Sequence, residues 1–343
     1  MKKIVFTGGG TLGHVMPNLY LIEELKNDYK CTYIGSNGIE KEKLKQVSID
    51  FYEIPTIKLV RGKFWKNLKI PFVLFSSINK AKNILKQIQP DVIFSKGGYV
   101  ALPVCLAARS LKIPIITHES DYSFGLANKL ILKLCNHMCV NFKNLESVSK
   151  KVEYTGPVFS KDYDRKTKDY SNLQIDKEKP TILIVGGSLG SKKINDNIFA
   201  ILKDLLKNFN VIHITGKGNN KIKSYNNYNA FEMTNDMVNL YNIADFVIGR
   251  SGAGVTAECY FKNLPMLLIP LENKASRGDQ TLNAEYYVNQ GVAKIIEEKD
   301  LNPITLLNEI NNFYNNIEKY QNNYKNTEKI NGKEKIIKII KKY

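Results

Sequence analysis

Three glycine-rich turns in this sequence have the composition that lets backbone N–H groups approach a phosphate or another anion. They cover residues 8–14, 186–191 and 249–254, and each follows a short apolar run. Glycine removes the side chain that would block a ligand, and a helix that begins after such a turn adds the positive end of its dipole. We therefore expect the three turns to mark ligand-binding edges of the structure.

The first turn, Gly8–His14, contains the spacing G-x-G-x-x-G that is typical of dinucleotide-binding proteins. Such proteins also place an acidic residue at the end of the second strand, about 20 residues further on, where it binds a ribose. Here that strand ends in Ile34-Gly35-Ser36-Asn37, without an acid. The pattern argues against a nicotinamide cofactor and leaves two interpretations, an anion site or a tight strand-to-helix turn.

The third turn is followed by a predicted helix that carries Thr256 and Glu258. Backbone N–H groups at the start of this helix suit a diphosphate, and Glu258 one turn later suits the hydroxyls of a ribose. The alternative for Glu258 is a solvated helix residue. Further along, Gln280 and Asn283 carry amides, whose donors and acceptors suit sugar hydroxyls.

Acid–base chemistry has few candidates, because the sequence contains only four histidines. His14 lies in the first turn, and His118 with its neighbour Glu119 stands at the end of a predicted strand. His137 and His213 stand in apolar strand contexts and are interpreted as structural. An imidazole at a ligand-facing edge suits a general base at neutral pH. We therefore expect His14 to be the base, and Glu119 competes for the same role.

A metal site is not expected from this sequence. Asp162 and Asp164 have the Asp-x-Asp spacing that many metal-dependent nucleotide-sugar enzymes use, but they lie in the polar segment 160–179, away from any strand end. We interpret this spacing as a chance match. Without a metal, helix N-termini and backbone donors must stabilise the negative charge of a leaving group.

Alternating strand and helix patterns divide the chain of 343 residues into two α/β domains. In the first we predict parallel strands at Ile4–Thr7, Cys31–Ile34, Asp91–Ser95, Ile113–Thr117 and Met138–Asn141, with helices at Leu19–Lys26, Val73–Gln89 and Val100–Leu111. Segment 160–179 is predicted to be a linker or surface loop. The pattern then restarts with strands at Thr181–Val185, Asn210–Thr215, Asp245–Ile248 and Pro265–Ile269 and a helix at Ser191–Lys207.

These patterns predict domains at 1–160 and 161–325, and a C-terminal helix within 326–343 that packs back on the first domain. Both domains open with a strand and a glycine-rich turn, which lies at the ligand-binding edge of an open α/β sheet. Two such edges that face each other would form a cleft between a donor and an acceptor.

The charge of the chain is uneven. Lys and Arg number 50 against 33 Asp and Glu, which gives a formal net charge of +17, and segment 54–90 contains no acidic residue. Within 58–82, basic residues surround an apolar cluster that includes Trp65, Phe72 and Phe75. This composition suits an anionic membrane surface. The alternatives are an ordinary amphipathic helix beside a basic loop, or nucleic acid, for which no recognisable motif is present.

The cysteines and the apolar runs place further limits on the class of protein. Five cysteines stand in apolar segments, and an odd number in a large chain predicts buried thiols in a reducing cytoplasm. No stretch approaches the ~20 apolar residues that span a bilayer. The N-terminal apolar run is too short for a signal peptide.

Taken in order, these motifs resemble those of the MurG glycosyltransferases over nearly the whole chain. The matching residues are Gly8–His14 with Pro17, Lys96–Tyr99, His118-Glu119, Gly125–Lys129, Gly186–Ser191 with Asn195, Arg250–Ala253, Glu258, Asp279-Gln280 and Asn283-Ala284. Members of this family are cytoplasmic, membrane-associated enzymes. They transfer N-acetylglucosamine from UDP-GlcNAc to the C4 hydroxyl of the muramyl sugar of lipid I, which forms lipid II for peptidoglycan.

The resemblance implies an α/β GT-B fold, two Rossmann-like doubly wound domains facing a cleft, with an inverting mechanism and no metal or other cofactor. It implies that the N-terminal domain binds lipid I and an anionic membrane surface through 58–82, on the cytoplasmic face of the membrane, and that nucleic acid is not a partner. The C-terminal domain would bind UDP-GlcNAc. His14 is the implied base, with Glu119 in second rank. Substrate contacts are implied for Thr11, Leu12, Gly13, Asp121, Asn128, Ser188, Asn195, Thr234, Ala253, Gly254, Val255, Thr256, Ala257, Glu258, Gln280 and Asn283.

Some positions depart from the family pattern. Leu12 stands where many members have Gly, Leu189 replaces a common Gln, and Asp121 replaces a common Asn. Phe159 occupies the region where an Arg usually helps to bind the donor, and Lys161 is the residue that could substitute for it. These departures keep open a transferase of the same fold that acts on a different lipid acceptor.

Overall fold

The computed structural model describes residues 1–45, 47–59, 64–187, 189–272 and 278–343. The chain forms two compact units. The first consists of Met1–Ser160 together with Ile330–Tyr343, and the second consists of Lys161–Lys329. Each unit is built around one parallel β-sheet.

The first unit contains a sheet of seven parallel strands in the order β3-β2-β1-β4-β5-β6-β7. The strands are β1 Lys2–Thr7, β2 Tyr29–Gly35, β3 Asp50–Glu53, β4 Val92–Ser95, β5 Ile115–Glu119, β6 His137–Val140 and β7 Val152–Tyr154. The helices between them are α1 Leu12–Leu25, α2 Ile39–Leu44, α3 Phe64–Asn67, α4 Ile70–Ile88, α5 Gly98–Ser110 and α6 Leu126–Leu134.

The alternation of side chains along each strand explains why helices cover both faces of this sheet. In β1, Val5 packs in a core with α4, α5 and α6, whereas Ile4 and Phe6 pack in a second core with α1 and α2. All three side chains are completely buried. The first unit is therefore a three-layer α/β/α structure.

The second unit repeats this architecture with six parallel strands in the order β10-β9-β8-β11-β12-β13. The strands are β8 Thr181–Val185, β9 Asn210–Ile214, β10 Tyr228–Phe231, β11 Phe246–Gly249, β12 Met266–Leu268 and β13 Ala293–Ile295. The helices are α7 Lys192–Asn208, α8 Met237–Ile243, α9 Ala253–Phe261, α10 Asp279–Asn289, α11 Pro303–Asn315 and α12 Ile317–Asn323. Among the described residues, no helix is both long and apolar enough to cross a bilayer.

The chain returns to the first unit through α13, Lys333–Ile340. Ile336, Ile339 and Ile340 have the spacing of one helix face, and they are buried in the same core as Ile4 and Phe6. At the edge of this interface, the ammonium group of Lys333 lies 2.8 Å from a carboxylate oxygen of Glu24. The C-terminal helix is therefore an integral part of the first unit.

Both sheets have a topological switch point. The first strand of each sheet lies inside the sheet, with later strands on both of its sides. In the first sheet β1 lies between β2 and β4, and in the second β8 lies between β9 and β11. Open α/β sheets bind ligands at the carboxyl ends of the strands beside such a point. The turns that follow β1, β8 and β11 are the three glycine-rich segments that the sequence singled out, and the turn after β4 holds the motif residues Lys96–Tyr99.

The predicted doubly wound α/β class is confirmed, with two corrections to its elements. Helix α1 begins at Leu12, earlier than the predicted Leu19, and it contains Pro17 in its second turn. Proline has no N–H, so the helix lacks one hydrogen bond at this position. The predicted linker is mostly irregular, but it is bound to the second unit by side-chain amides, including that of Asn242.

Candidate functional site

The first glycine-rich turn connects β1 to α1 and ends at Thr11, which precedes the first helical residue. The Thr11 side chain does not cap the helix. Its Oγ1 lies 2.9 Å from Nδ1 of His14, one turn into α1. A Cβ on Gly98, in the turn after β4, would lie 3.7 Å from Nε2 of the same imidazole. His14, Thr11 and the turn after β4 are thus brought together at the switch point.

A buried polar network supports this turn from below. The hydroxyl of Tyr33 donates to the carbonyl oxygen of Gly8 over 2.8 Å, and the Asn18 amide donates to the Tyr33 oxygen over 3.0 Å. The Glu40 carboxylate accepts the backbone N–H of Gly10 over 3.1 Å and that of Ser36 over 2.9 Å. Glu40 is completely buried. Because the Glu40 carboxylate already accepts the Gly10 N–H, that N–H is not available to an anion. The anion interpretation therefore does not suit this part of the turn.

Lys96 follows β4 directly and is 1% exposed. Its ammonium group donates to the hydroxyl of Ser120, at the end of β5. Burial lowers the pKa of Lys96 to about 8, although the carboxylates of Glu119 and Asp121 favour its charged form. In the sequence, Lys96 stands out only as part of a motif. Its position directly after a buried strand was the sequence signal that could have pointed to a role at the site.

Glu119 is held by four hydrogen bonds at the end of β5. One carboxylate oxygen accepts the backbone N–H groups of Ser120 and Asp121, over 2.8 and 3.1 Å. The other accepts the N–H of Gly125 over 3.0 Å and the amide of Asn128 over 2.9 Å. These four donors occupy most of the lone pairs of the carboxylate, which leaves it little capacity to accept a substrate proton.

Asn128 and Gly97 are packed against each other beside Glu119. A Cβ on Gly97 would overlap the Asn128 amide, and Gly97 has a φ of +79°, so glycine is required there. The Asn128 side chain is buried. It therefore supports the turn after β4 from inside, rather than presenting its amide to solvent. Asp121 is half-buried, and Leu12 and Gly13 begin α1 at the open side of the first turn.

In the second unit, the turn after β8 leads into α7. Ser191 caps this helix, with its hydroxyl accepting the N–H of Ile194 over 3.4 Å. Asn195 is buried, donating to the carbonyl of Thr215 over 2.8 Å and lying 3.0 Å from Nε2 of His213. Its amide is thus engaged inside the protein, where it supports the turn after β9. Ser188 lies outside the described residues.

Arg250, after β11, ties the second and third turns to the segment after β12. Its guanidinium donates to the carbonyl oxygens of Ile269 and Pro270, both over 3.0 Å, and to the Ser191 hydroxyl over 3.0 Å. It also forms a nearly buried ion pair with Glu298. A planar guanidinium with several donors suits such a junction. In the sequence, Arg250 stands out only as part of a motif, and this junction role is visible only in the structure.

Helix α9 begins in the third turn and has no acidic residue in its first turn. Gly254 is exposed there, and Val255 is half-buried, whereas Ala253, Thr256 and Ala257 are buried. The Thr256 hydroxyl donates to the carbonyl of Gly252 over 3.1 Å, so it serves the helix start. The surface left for a ligand is therefore the backbone at Gly254 and Val255.

Glu258 lies four residues after Gly254, on the same face of α9. Its Oε2 accepts a hydrogen bond from the hydroxyl of Tyr241, in α8, over 2.7 Å. Burial raises the pKa of Glu258, and hydrogen bonds from Tyr241 and Tyr163 lower it in part. The alternative of a solvated helix residue is therefore wrong for Glu258.

The two amides predicted after β12, those of Gln280 and Asn283, differ in their exposure. Gln280 is half-buried in the first turn of α10, and its Oε1 accepts the N–H of Leu271 over 3.0 Å. Asn283 is completely buried, and its amide donates to the carbonyl of Ser251 over 3.2 Å. Asn283 thus holds the third turn from inside. Thr234, after β10, accepts the N–H of Asp236 over 3.0 Å.

The Asp-x-Asp segment forms a short 3-10 helix, Lys161–Asp164, with Tyr163 buried between the two aspartates. Asp162 forms an exposed ion pair with Arg165, 2.7 Å apart. Within the described ranges, no group of three or more His, Cys, Asp or Glu side chains is placed to share a metal ion.

The chain matches two protein-family models. The glycosyltransferase family 28 N-terminal domain matches residues 4–140, and the glycosyltransferase family 28 C-terminal domain matches residues 181–340. Two full-length relatives are named UDP-N-acetylglucosamine–N-acetylmuramyl-(pentapeptide) pyrophosphoryl-undecaprenol N-acetylglucosamine transferase. The one from a type E strain of Clostridium botulinum is 44% identical and covers 99% of both chains. The one from Clostridium tetani is 41% identical and covers 100% of this chain and 98% of the relative.

Solved structures share the fold over the whole chain. The crystal structure of Acinetobacter baumannii MurG has a TM-score of 0.77 and 27% sequence identity, and it covers 100% of both chains. A UDP-GlcNAc 2-epimerase from Neisseria meningitidis, with a TM-score of 0.68 and 18% identity, resembles this chain in fold alone. The two family models and the full-length relatives show that this chain belongs to glycosyltransferase family 28 and, within it, to the MurG-type N-acetylglucosaminyltransferases.

Proposed function

We propose that this chain transfers N-acetylglucosamine from UDP-GlcNAc to lipid I, forming lipid II in peptidoglycan synthesis. Relatives with this activity in their names match it along its whole length at 41–44% identity. The structural observation that carries the proposal is the start of α9, where the exposed first turn at Gly254 lies on the same helix face as Glu258, which is half-buried and hydrogen-bonded to Tyr241. A nucleoside diphosphate suits this arrangement, because its diphosphate would bind at the helix start and its ribose would reach Glu258 one turn later.

The second unit would bind the donor. The N–H groups at Gly254 and Val255 would hold the diphosphate, because the free N–H groups and the dipole at a helix N-terminus attract anions. Glu258 would accept hydrogen bonds from the ribose hydroxyls. The same helix start would stabilise the charge that develops on UDP as it leaves.

The remaining donor contacts would come from two other segments. Gln280 would use its amide for the hydroxyls of the sugar, while its Oε1 keeps the segment at Leu271 in place. The turn at Thr234 would lie against the uracil. Asn195, Thr256 and Asn283 would act indirectly, because their side chains are hydrogen-bonded inside the protein.

The first unit would bind the acceptor at the turn after β1, with Thr11, Leu12 and Gly13 in contact with it. The C4 hydroxyl of the muramyl sugar attacks the anomeric carbon of the donor from the face opposite UDP, which inverts its configuration. The hydroxyl loses its proton to a general base, for which His14 is better placed than Glu119. Glu119 would hold the segment that contains Asp121 and Asn128.

The first unit also carries a surface suited to an anionic membrane, where the acceptor resides. Four apolar side chains at or just before α4 are strongly exposed: Trp65 by 82%, Phe72 by 79%, Phe75 by 68% and Leu68 by 48%. We call these four the apolar patch. Exposed lysines, Lys58, Lys69 and Lys80, flank it. Aromatic side chains beside cations suit the headgroup region of an anionic bilayer, so the protein would be peripheral, on the cytoplasmic face.

A transfer assay tests this proposal directly. Radiolabelled UDP-GlcNAc is incubated with lipid I in detergent micelles, and lipid-linked product is separated from the soluble donor. Formation of lipid II supports the proposal. Transfer from UDP-glucose but not UDP-GlcNAc, or transfer to another polyprenyl-linked sugar but not to lipid I, would favour a different lipid glycosyltransferase of the same fold.

A further inference from the structure

The segment that connects the two units is anchored to the second unit at several points. The amide of Asn242, in α8, donates to the carbonyl oxygens of Arg165 and Thr167, over 3.0 and 2.9 Å. The ammonium group of Lys262, just after α9, donates to the Arg165 carbonyl over 2.7 Å. Asn239 exchanges two hydrogen bonds with the backbone further along this segment. We call residues 161–169 the connector.

Tyr163 is the connector residue that reaches the donor site. It stands in the 3-10 helix Lys161–Asp164, and its side chain is 5% exposed. Its hydroxyl hydrogen-bonds the carboxylate of Glu258. The Asp-x-Asp segment, which has no metal-binding role in our interpretation, thus supplies a buried tyrosine between its two aspartates.

Tyr241 approaches the same carboxylate from α8. Its side chain is 1% exposed, and its hydroxyl lies 2.7 Å from Glu258 Oε2. Glu258 is therefore held by two phenol hydroxyls that come from different parts of the chain. We call Tyr163 and Tyr241 the tyrosine pair.

We propose that the tyrosine pair positions Glu258 for the donor ribose, and that Tyr163 makes donor affinity depend on the docked connector. This inference rests on the proposed function, in which Glu258 accepts hydrogen bonds from the ribose. Neither tyrosine is assigned a contact with substrate. They are positioning residues, which act through Glu258.

The physical reason lies in the flexibility and the burial of Glu258. A glutamate side chain has several rotatable bonds, and fixing it in advance reduces the entropy lost when the ribose binds. Hydrogen bonds to a carboxylate also stabilise its charged form, which accepts but does not donate. Two donors on this carboxylate therefore keep it oriented toward a ribose and oppose the rise in its pKa that burial causes.

The same geometry predicts how pH acts on the site. The titratable groups that bear on Glu258 and its partners are Tyr163, Tyr241 and the thiol of Cys259. Burial raises the pKa of Glu258, whereas the tyrosine pair lowers it. Removing one hydroxyl should raise this pKa further, so protonation of Glu258 would weaken UDP binding at a higher pH than in the wild type.

Calorimetric titration of the full-length protein with UDP and with 2′-deoxy-UDP tests the inference. Tyr163→Phe and Tyr241→Phe remove one hydroxyl each, and Glu258→Gln removes the charge. Tyr225→Phe is the matched control, because Tyr225 precedes β10 at the opposite, amino-terminal edge of the sheet. We expect about 3- to 10-fold weaker UDP binding for each tyrosine variant, the range for loss of one hydrogen bond. Binding of 2′-deoxy-UDP should change less, and Tyr225→Phe should match the wild type.

The connector provides a second measurement, which tests the role of Tyr163 through a residue outside the tyrosine pair. Asn242→Ala removes the two hydrogen bonds to the connector backbone. It should weaken UDP binding in the wild-type background and have a smaller effect in Tyr163→Phe, because both changes act through Tyr163. Equal effects in the two backgrounds would overturn the connector part of the inference.

The failures of the inference and of the proposed function differ. If Glu258→Gln reduces the preference for UDP over 2′-deoxy-UDP while both tyrosine variants retain it, Glu258 binds the ribose without help and the inference is wrong. If Glu258→Gln retains the preference as well, the ribose role of Glu258 is wrong, and the inference fails with it. A shift of the acid limb of UDP binding to higher pH in Tyr241→Phe supports the inference, and an unchanged limb counts against it.

Discussion

The hydroxyl of Thr11 lies 2.9 Å from Nδ1 of His14, so the two side chains are hydrogen-bonded to each other across the first turn of α1. A threonine oxygen can accept a hydrogen bond from Nδ1–H. In that tautomer Nε2 has no proton and keeps its lone pair for the hydroxyl of an acceptor. We therefore expect Thr11, one helical turn before His14, to favour the tautomer in which His14 can act as a general base.

This arrangement predicts separate effects for the two residues. His14→Ala should lower kcat by about 10²- to 10⁴-fold, the usual contribution of a general base, and abolish the acid limb of the pH–rate profile. Thr11→Val should lower kcat about 10-fold through loss of the preferred tautomer, and Thr11→Ser should restore it, an effect of about one neutral hydrogen bond. Initial rates across pH 5.5–9 would measure both. A change in KM alone for His14→Ala would make His14 a binding residue.

Glu119 should behave in the opposite way, because its carboxylate accepts four hydrogen bonds within its own segment. Glu119→Gln replaces one acceptor with an amide donor that faces backbone N–H groups. We expect a loss of about 2–4 kcal/mol in the free energy of unfolding, since bonds to a charged acceptor contribute about 1.5–3 kcal/mol each and the site relaxes in part.

Denaturant titration measures this loss, and the pH–rate profile of the folded variant separates the two roles. Retention of the acid limb in Glu119→Gln supports a positioning role. If the limb disappears while the stability stays unchanged, Glu119 is the base after all, and the hydrogen bonds around it do not prevent proton transfer.

The strands that sequence patterns predicted and those they missed differ in position. Each of the predicted strands lies inside its sheet, where apolar side chains cover both faces. The missed strands, β3, β7, β10 and β13, form the four sheet edges. An edge strand is short and half-exposed, so it lacks the continuous apolar run that identifies a buried parallel strand. Asp50–Glu53, for example, has no completely buried residue.

The candidate site was predictable by position more than by role. Residues in the helices that follow glycine-rich turns, such as His14 and Glu258, could be located because those turns mark the carboxyl ends of strands. Motif residues such as Asn195 and Asn283 lie at the same edges, but their amides are hydrogen-bonded inside the protein. Only the fold tells which polar groups already have partners. Tyr163 could not be found at all, because nothing in its local sequence points to a glutamate in α9.

The apolar patch predicts membrane binding that depends on two aromatic side chains. Phe72 and Phe75 are exposed and three residues apart on α4, so replacing both with Ser should leave the fold intact. Full burial of a phenylalanine contributes about 1.5–3 kcal/mol, so even partial insertion of two rings predicts at least about a 10-fold loss in affinity for anionic vesicles. Co-sedimentation with vesicles of phosphatidylglycerol and phosphatidylcholine measures this affinity.

A matched control comes from the second unit, where Ile304 is 75% exposed at the start of α11. Ile304→Ser should bind vesicles like the wild type. Equal losses for both variants would mean that binding is not localised to the apolar patch. Binding should also weaken at high salt, since the flanking lysines contribute through electrostatic attraction that salt screens.

Lys96 predicts a dependence of stability on alkaline pH with a defined sign. Its pKa is about 8 in the folded protein, whereas an unfolded lysine has its ordinary value near 10.5. Below pH 8 both states carry the charge, and the folded state bears the full desolvation penalty. Between these two pKa values the unfolded chain binds more protons, so stability rises with pH through this window. The difference corresponds to about 3 kcal/mol.

Comparison with Lys96→Met isolates this contribution, because buried tyrosines and cysteines titrate equally in both proteins and cancel in the difference. The free energy of unfolding of the wild type, relative to the variant, should increase by about 3 kcal/mol between pH 7 and 10.5. Urea titrations at several pH values measure it. A constant difference would show that Lys96 keeps its charge throughout, with the Glu119 and Asp121 carboxylates compensating for its burial. A falling difference would mean that those carboxylates raise its pKa above the ordinary value.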